Sequence, residues 1–160
     1  MATMKAEKPQ RQVYCNMTNR TSTEMICKHY YNFNGFPGPQ LLPPIPAGEI
    51  IYIDNVVQKG AVVYVGRNKE QCPSAWVLAW DTPASDNTAP PPSRKVYVIC
   101  GPEEAIDKMT AKEIEKKLDD TGNTFSEATD PITKTTAYAG IIGAVPNDSS
   151  NVSATFGLVT

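Results

Sequence analysis

Histidine is almost missing from this sequence: one, His29, stands in 160 residues. That excludes a zinc site with two or more imidazole ligands, and the four cysteines lack the close spacing of a thiolate cage. An excess of charge of either sign is missing too. A formal net charge of −2 gives no concentration of Lys and Arg for nucleic-acid phosphates or an anionic bilayer. The lysines between Lys108 and Lys117 alternate with Glu113 and Glu115, and Asp119 and Asp120 follow, a pattern that reads as a solvated helix face. No segment approaches the roughly 20 apolar residues of a transmembrane helix. The opening MATMKAEKPQRQ has no apolar stretch of a secretory signal, so a cytoplasmic location is expected. The sequons at Asn16, Asn19, Asn147 and Asn151 then read as turn composition. Walker, GxGxxG, GxSxG, HExxH and EF-hand patterns are all absent, so no metal or cofactor is expected.

The cysteines, Cys15, Cys27, Cys72 and Cys100, fit no disulfide framework and read as thiols acting as small hydrophobes. A hairpin between Val13–Met17 and Met25–His29, centred near Thr21, would set Cys15 opposite Cys27. The weak catalytic candidates are Cys27 and His29, because residues two apart share one face of a strand. No helix N-terminus or basic cluster adjoins them in sequence to activate the thiol.

What the chain does have is β-strand patterning. Ala61–Val65 and Ala75–Trp80 flank a polar turn and are apolar on both faces, which predicts a hairpin covered front and back. Val13–Met17, Met25–Phe33, Glu49–Asp54, Lys95–Cys100, Thr135–Ile142 and Val152–Val159 read as further strands. Residues 34–48 hold five prolines and three glycines and cannot form a helix or a central strand; they predict a stiff loop crossing between sheets. Thr110 to Glu113 is a capping box opening a short amphipathic helix, Thr110–Asp119, with Met109, Ile114 and Leu118 on one side and Gly122 after its end. Hydrophobic content of 41% over this length suits one domain, residues 13–160, behind a flexible arm at 1–12. The expected fold is mainly β, an antiparallel β-sandwich or flattened barrel of about eight strands with one short helix in the C-terminal half. Strands apolar on both faces need cover, and a homo-oligomer would provide it.

Aromatic residues carry the only hint of recognition. Tyr30, Tyr31 and Phe36 lead into the proline-rich loop, and Trp76 and Trp80, with Asp81 adjoining, lie on the central hairpin. Aromatic faces beside amides and carboxylates suit stacking against a sugar or a small-molecule ligand. The alternative for the two tryptophans is that they are core.

GAVVYVG at Gly60–Gly66, WVLAWDTP at Trp76–Pro83 and PPIPAGE at Pro43–Glu49 together resemble the plant 23 kDa jasmonate-induced protein family. The similarity runs over Val13–Gly101 and more weakly through the C-terminal strands. It implies a soluble plant protein that accumulates under jasmonate, wounding or osmotic stress, and it carries over no catalytic residue; the expected role is that of a non-enzymatic stress or defence protein. The lectin-like reading, a carbohydrate-binding sandwich, follows from the aromatics. The broader layout is also similar to aegerolysin-like sandwiches, which implies membrane-lipid recognition as the alternative.

Overall fold

A computed structural model describes residues 12–34, 40–68, 70–83, 93–144 and 149–159. Among these, nine strands form two facing sheets, with two helices against one of them. The first sheet contains β1 (Val13–Arg20), β3 (Ile50–Ile53), β7 (Phe125–Asp130), β8 (Thr135–Ala144) and β9 (Ser149–Leu158) in the order β3-β1-β9-β8-β7. The second contains β2 (Ile26–Asn32), β4 (Lys59–Arg67), β5 (Pro73–Asp81) and β6 (Lys95–Pro102) in the order β2-β4-β5-β6. Pairing is antiparallel throughout except between β1 and β9, which run parallel. The fold is the expected sandwich and not a closed barrel.

The dry interior lies between the sheets. Val62, Tyr64, Trp76, Leu78 and Trp80 from the hairpin meet Met17, Ala139, Val152, Ala154 and Phe156 from the other layer. Burying an indole is favourable only if its N–H finds an acceptor. Trp76 Nε1 donates across the sandwich to the carbonyls of Thr136 (3.1 Å) and Gly157 (3.3 Å), and Trp80 Nε1 donates to the Val57 carbonyl at 2.6 Å.

The hairpin that would set Cys15 opposite Cys27 does not form. β1 and β2 belong to different sheets, and the reason is Asn19, a fully buried amide at the corner between them. Its Oδ1 accepts from the Thr21 amide (2.9 Å) and hydroxyl (2.7 Å), and its Nδ2 donates to the carbonyls of Thr23 (2.8 Å) and Ile45 (2.9 Å). These bonds turn the chain across the sandwich instead of back along it. Cys15 and Cys27 therefore sit on different sheets, facing the same core, and both remain thiols.

The proline-rich segment crosses between the layers as its composition requires, leaving β2 and entering β3. Its described part straps the side of the sandwich: Ile45 is buried and pairs with Met25, and the Pro43 carbonyl accepts from the Tyr64 hydroxyl at 2.8 Å. Gly60, the second residue of β4, packs closely against β2 and the chain before β4. A Cβ there would run into the Tyr31 carbonyl and a Val57 methyl.

Cover for the second sheet comes from within the chain. Its outward face is built of small residues, Ala61, Val63, Ala75, Val77 and Ala79, which let helices approach closely. Ile106 of α1 (Glu103–Asp107) and Ile114 and Leu118 of α2 (Ala111–Thr121) close it over. The Thr110 half of the capping box forms, with Thr110 Oγ1 accepting from the Glu113 amide at 3.1 Å, and Gly122 N–H returns to the Leu118 carbonyl. Ion pairs pin the helices down: Lys28 reaches Glu103 (3.2 Å) and Asp107 (2.9 Å), and Lys59 reaches Glu115 (3.1 Å) and Asp119 (2.9 Å).

Removing the Asn19 side chain strips partners from four groups at a buried corner, whereas removing the Thr110 cap strands one exposed N–H. Asn19→Ala should lower unfolding free energy by about 3 kcal/mol, Thr110→Ala by about 1 kcal/mol, measured by urea denaturation. Equal losses would contradict the corner's role.

Candidate functional site

The sequence pairs Cys27 with His29 on one strand face, and the structure separates them. The pairing of β2 with β4 slips between these residues: Cys27 faces Tyr64 and His29 faces Val63. This β-bulge inserts an extra residue and reverses the alternation. Cys27 thus points into the core, where burial pushes its thiol pKa up against a smaller opposing effect of a hydrogen bond with the Leu42 backbone, and its Sγ meets the His29 carbonyl (3.5 Å), not the imidazole. His29 points outward, its Nε2 3.9 Å from Asp107 and its ring stacked on Tyr31 at 5.4 Å. A thiol and a base on opposite sides of a sheet cannot exchange a proton. Cys15 is no better placed, since burial pushes it up to about 12.

The predicted ligand aromatics are dispersed as well. Tyr30 is buried, its hydroxyl accepting from the Val57 amide at 2.8 Å and pushed up to about 12 by burial. Tyr31 is half-buried between His29 and Phe33 under α1. The crevice it shares with Lys28, Asp107 and Ile106 encloses about 10 Å³, room for about one water. Trp76 and Trp80 are fully buried, so their placement follows the core alternative, and neither ring offers a face to a ligand in solvent. Asp81 lies half-buried at the end of β5, its carboxyl raised chiefly by burial and opposed by Lys59. Phe36 lies outside the described residues. Tyr30 and Trp80 pack together inside the core, ring centroids 6.3 Å apart, and nearer the surface His29 and Tyr31 come together beside Asp107.

A different surface stands out, and it follows from counting faces. A two-layer sandwich has two inner faces, which are dry, and two outer ones. The helices cover one outer face; among the described residues, the outer face of β3-β1-β9-β8-β7 is bare. Its centre is neutral and polar: Asn16, Thr18, Asn151, Ser153 and Thr155 alternate with the core residues of β1 and β9. Asn16 Nδ2 donates to Ser153 Oγ (2.9 Å) and Asn151 Oδ1 (3.4 Å), which fixes the orientation of the amides. Around this centre stand large exposed side chains, Tyr14, Ile50, Tyr52, Phe125, Tyr138 and Ile142. Tyr52 is 72% exposed and Phe125 56%, values that leave most of each ring open to contact. Sequence reasoning passed over these residues because each occurs singly in a polar or aliphatic strand. The readable signal was period-two alternation, in which Tyr52 opposes Ile51 and Ile53, and Tyr138 opposes Ala137 and Ala139. Among the described residues no group of His, Cys, Asp and Glu is arranged to hold a metal ion.

Burial separates the thiols by reactivity. In native protein near neutral pH, iodoacetamide should modify exposed Cys72 first, with Cys15 and Cys27 protected until the chain is unfolded, as read by peptide mass spectrometry. Native labelling of Cys27 as fast as Cys72 would reopen a thiol mechanism.

No protein-family model matches the sequence. A relative from Atriplex canescens described as a jasmonate-induced protein homolog is 31% identical over 157 residues, covering 94% of this chain and 82% of the relative. The stretches quoted above for the resemblance, at Gly60, Trp76 and Pro43, lie in the core hairpin and its strap. The chain belongs to the jasmonate-induced protein family.

Proposed function

We propose that this jasmonate-induced-like protein is a non-enzymatic stress-responsive binding protein, and that it recognises neutral carbohydrate on the bare outer face of its five-stranded sheet. The observation that carries this reading is the arrangement of that face: amides and hydroxyls in the middle, aromatic rings around them. Protein interfaces have the opposite pattern, an apolar centre inside a polar rim. A bilayer gives a polar centre nothing in return, since burying amides in hydrocarbon is costly. Sugars present C–H faces that stack on aromatic rings and hydroxyls that both donate and accept, and they carry no charge to be neutralised. The central residues are uncharged; Glu127 and Arg20 stand at the margins.

This reading keeps the carbohydrate ligand expected from the sequence and moves it away from Tyr31 and the tryptophans. It also removes the need for a second copy of the chain to cover the central hairpin, because α1 and α2 cover it.

On a glycan array the protein should be retained by neutral glycans. Tyr52→Ala and Asn16→Ala should each weaken retention about tenfold, the equivalent of about 1.4 kcal/mol, without a change in melting temperature. Tyr31→Ala should leave it unchanged. Silence across neutral glycans, together with sedimentation on phosphatidylcholine or sphingomyelin vesicles, would replace this reading by lipid recognition.

A further inference from the structure

The registers of five strands align one row of the bare face from edge to edge. Tyr52 stands opposite Asn16, Asn16 opposite Ser153, Ser153 opposite Gly140, and Gly140 opposite Phe125. The row therefore starts and ends on an exposed ring, with an amide, a hydroxyl and a glycine between. Four strand intervals separate the rings, about 19 Å at the usual spacing of about 4.8 Å. The rows on either side are bulkier. Tyr14 and Ile142 flank it on one side, and Ile50 and Tyr138 on the other, each two residues along its strand. Two residues of strand advance about 7 Å, so the flanks bound a shallow lane about 14 Å across with small side chains on its floor. Gly140 keeps the floor low: the nearest atom to a Cβ built there is the Thr124 carbonyl oxygen, 3.7 Å away.

We propose that the ligand is an extended, unbranched neutral glycan lying along this lane across the strands, with Tyr52 and Phe125 as stacking platforms at its two ends. The proposal rests on the carbohydrate reading above and adds the shape of the ligand to it. A terminal sugar is gripped by a concave pocket that surrounds most of its surface. The lane instead is open at both ends and has one ring at each. A short sugar touches one platform; a chain of about four rings, each advancing by about one strand interval, reaches both. Once the first platform is engaged the second contact is intramolecular, so affinity climbs steeply when the chain becomes long enough to span. Asn16 and Ser153 lie on the floor midway and contact the chain whatever its length beyond the first rings.

The test is isothermal titration of the full chain with gluco-, xylo-, manno- and N-acetylglucosamine oligomers, from monosaccharide to hexasaccharide. In the series that binds, affinity should rise at least about tenfold between disaccharide and tetrasaccharide and then level off. Phe125→Ala should flatten this rise, reducing the hexasaccharide to the affinity of a short sugar, while Asn16→Ala should weaken long and short members by the same factor. Both positions are at the surface, and an unchanged near-ultraviolet dichroism spectrum will verify the fold of each variant. Equal affinity from disaccharide to hexasaccharide, or binding of terminal sugars alone, overturns the extended-chain proposal and leaves the carbohydrate reading standing. No binding by any oligomer of any series overturns both.

Discussion

The indole of Trp76 spans the sandwich: rooted on β5, it donates its N–H to carbonyls of β8 and β9. That bond commits the alternate residues of the central hairpin to the interior and so determines what its other face must be. Ala61, Ala75 and Ala79 fall outward, too small to protect the sheet themselves and well shaped to receive a helix. The two helices meet that need. They are the only helices among the described residues, and both lie on this sheet rather than on the opposite one. The bare face is a consequence of how the cover is distributed, and its composition, neutral amides ringed by aromatics, is what turns an uncovered surface into a candidate for recognition.

Much of this was legible in the sequence where local pattern and tertiary environment agree. The hairpin apolar on both faces, the proline-rich crossing and the capped helix all appear as expected, because each is dictated by residues close together in the chain. The misreadings have equally physical origins. β7, FSEATD, is an edge strand with its large ring turned outward, so it lacks an apolar run. α1 is five residues long, too short to show a helical period. The hairpin that would set Cys15 opposite Cys27 fails because Asn19, buried and four times bonded, makes a corner that looks in sequence like an ordinary polar turn. The bulge after Cys27 was invisible for the same reason: strand alternation was assumed where one inserted residue reverses it.

The candidate site was the least legible part. Sequence reading ranks aromatics by density, and density led to Tyr30, Tyr31, Trp76 and Trp80, of which three are buried and the fourth is half-buried in a stack beneath α1. The exposed rings are isolated in sequence, at 14, 52, 125 and 138, and converge only through strand order. The parallel pairing of β1 with β9 is what brings Asn16 beside Asn151 and Ser153. The stretches that the sequence reading used for the family resemblance lie away from this surface. They comprise the hairpin and its strap, whose residues are constrained by packing, and likeness there transfers a scaffold more securely than a ligand.

The claim that matters most is where this sandwich makes contact with its ligand. Amide-resolved NMR of the labelled chain, titrated with the neutral hexasaccharide of highest affinity, tests it directly. Chemical-shift changes are predicted at the outward positions of the five-stranded sheet, along Tyr52, Asn16, Ser153, Gly140 and Phe125, with Lys28–Tyr31 and α2 unperturbed. Shifts concentrated instead on Lys28–Tyr31 and α1 would place recognition on the helical side and contradict it.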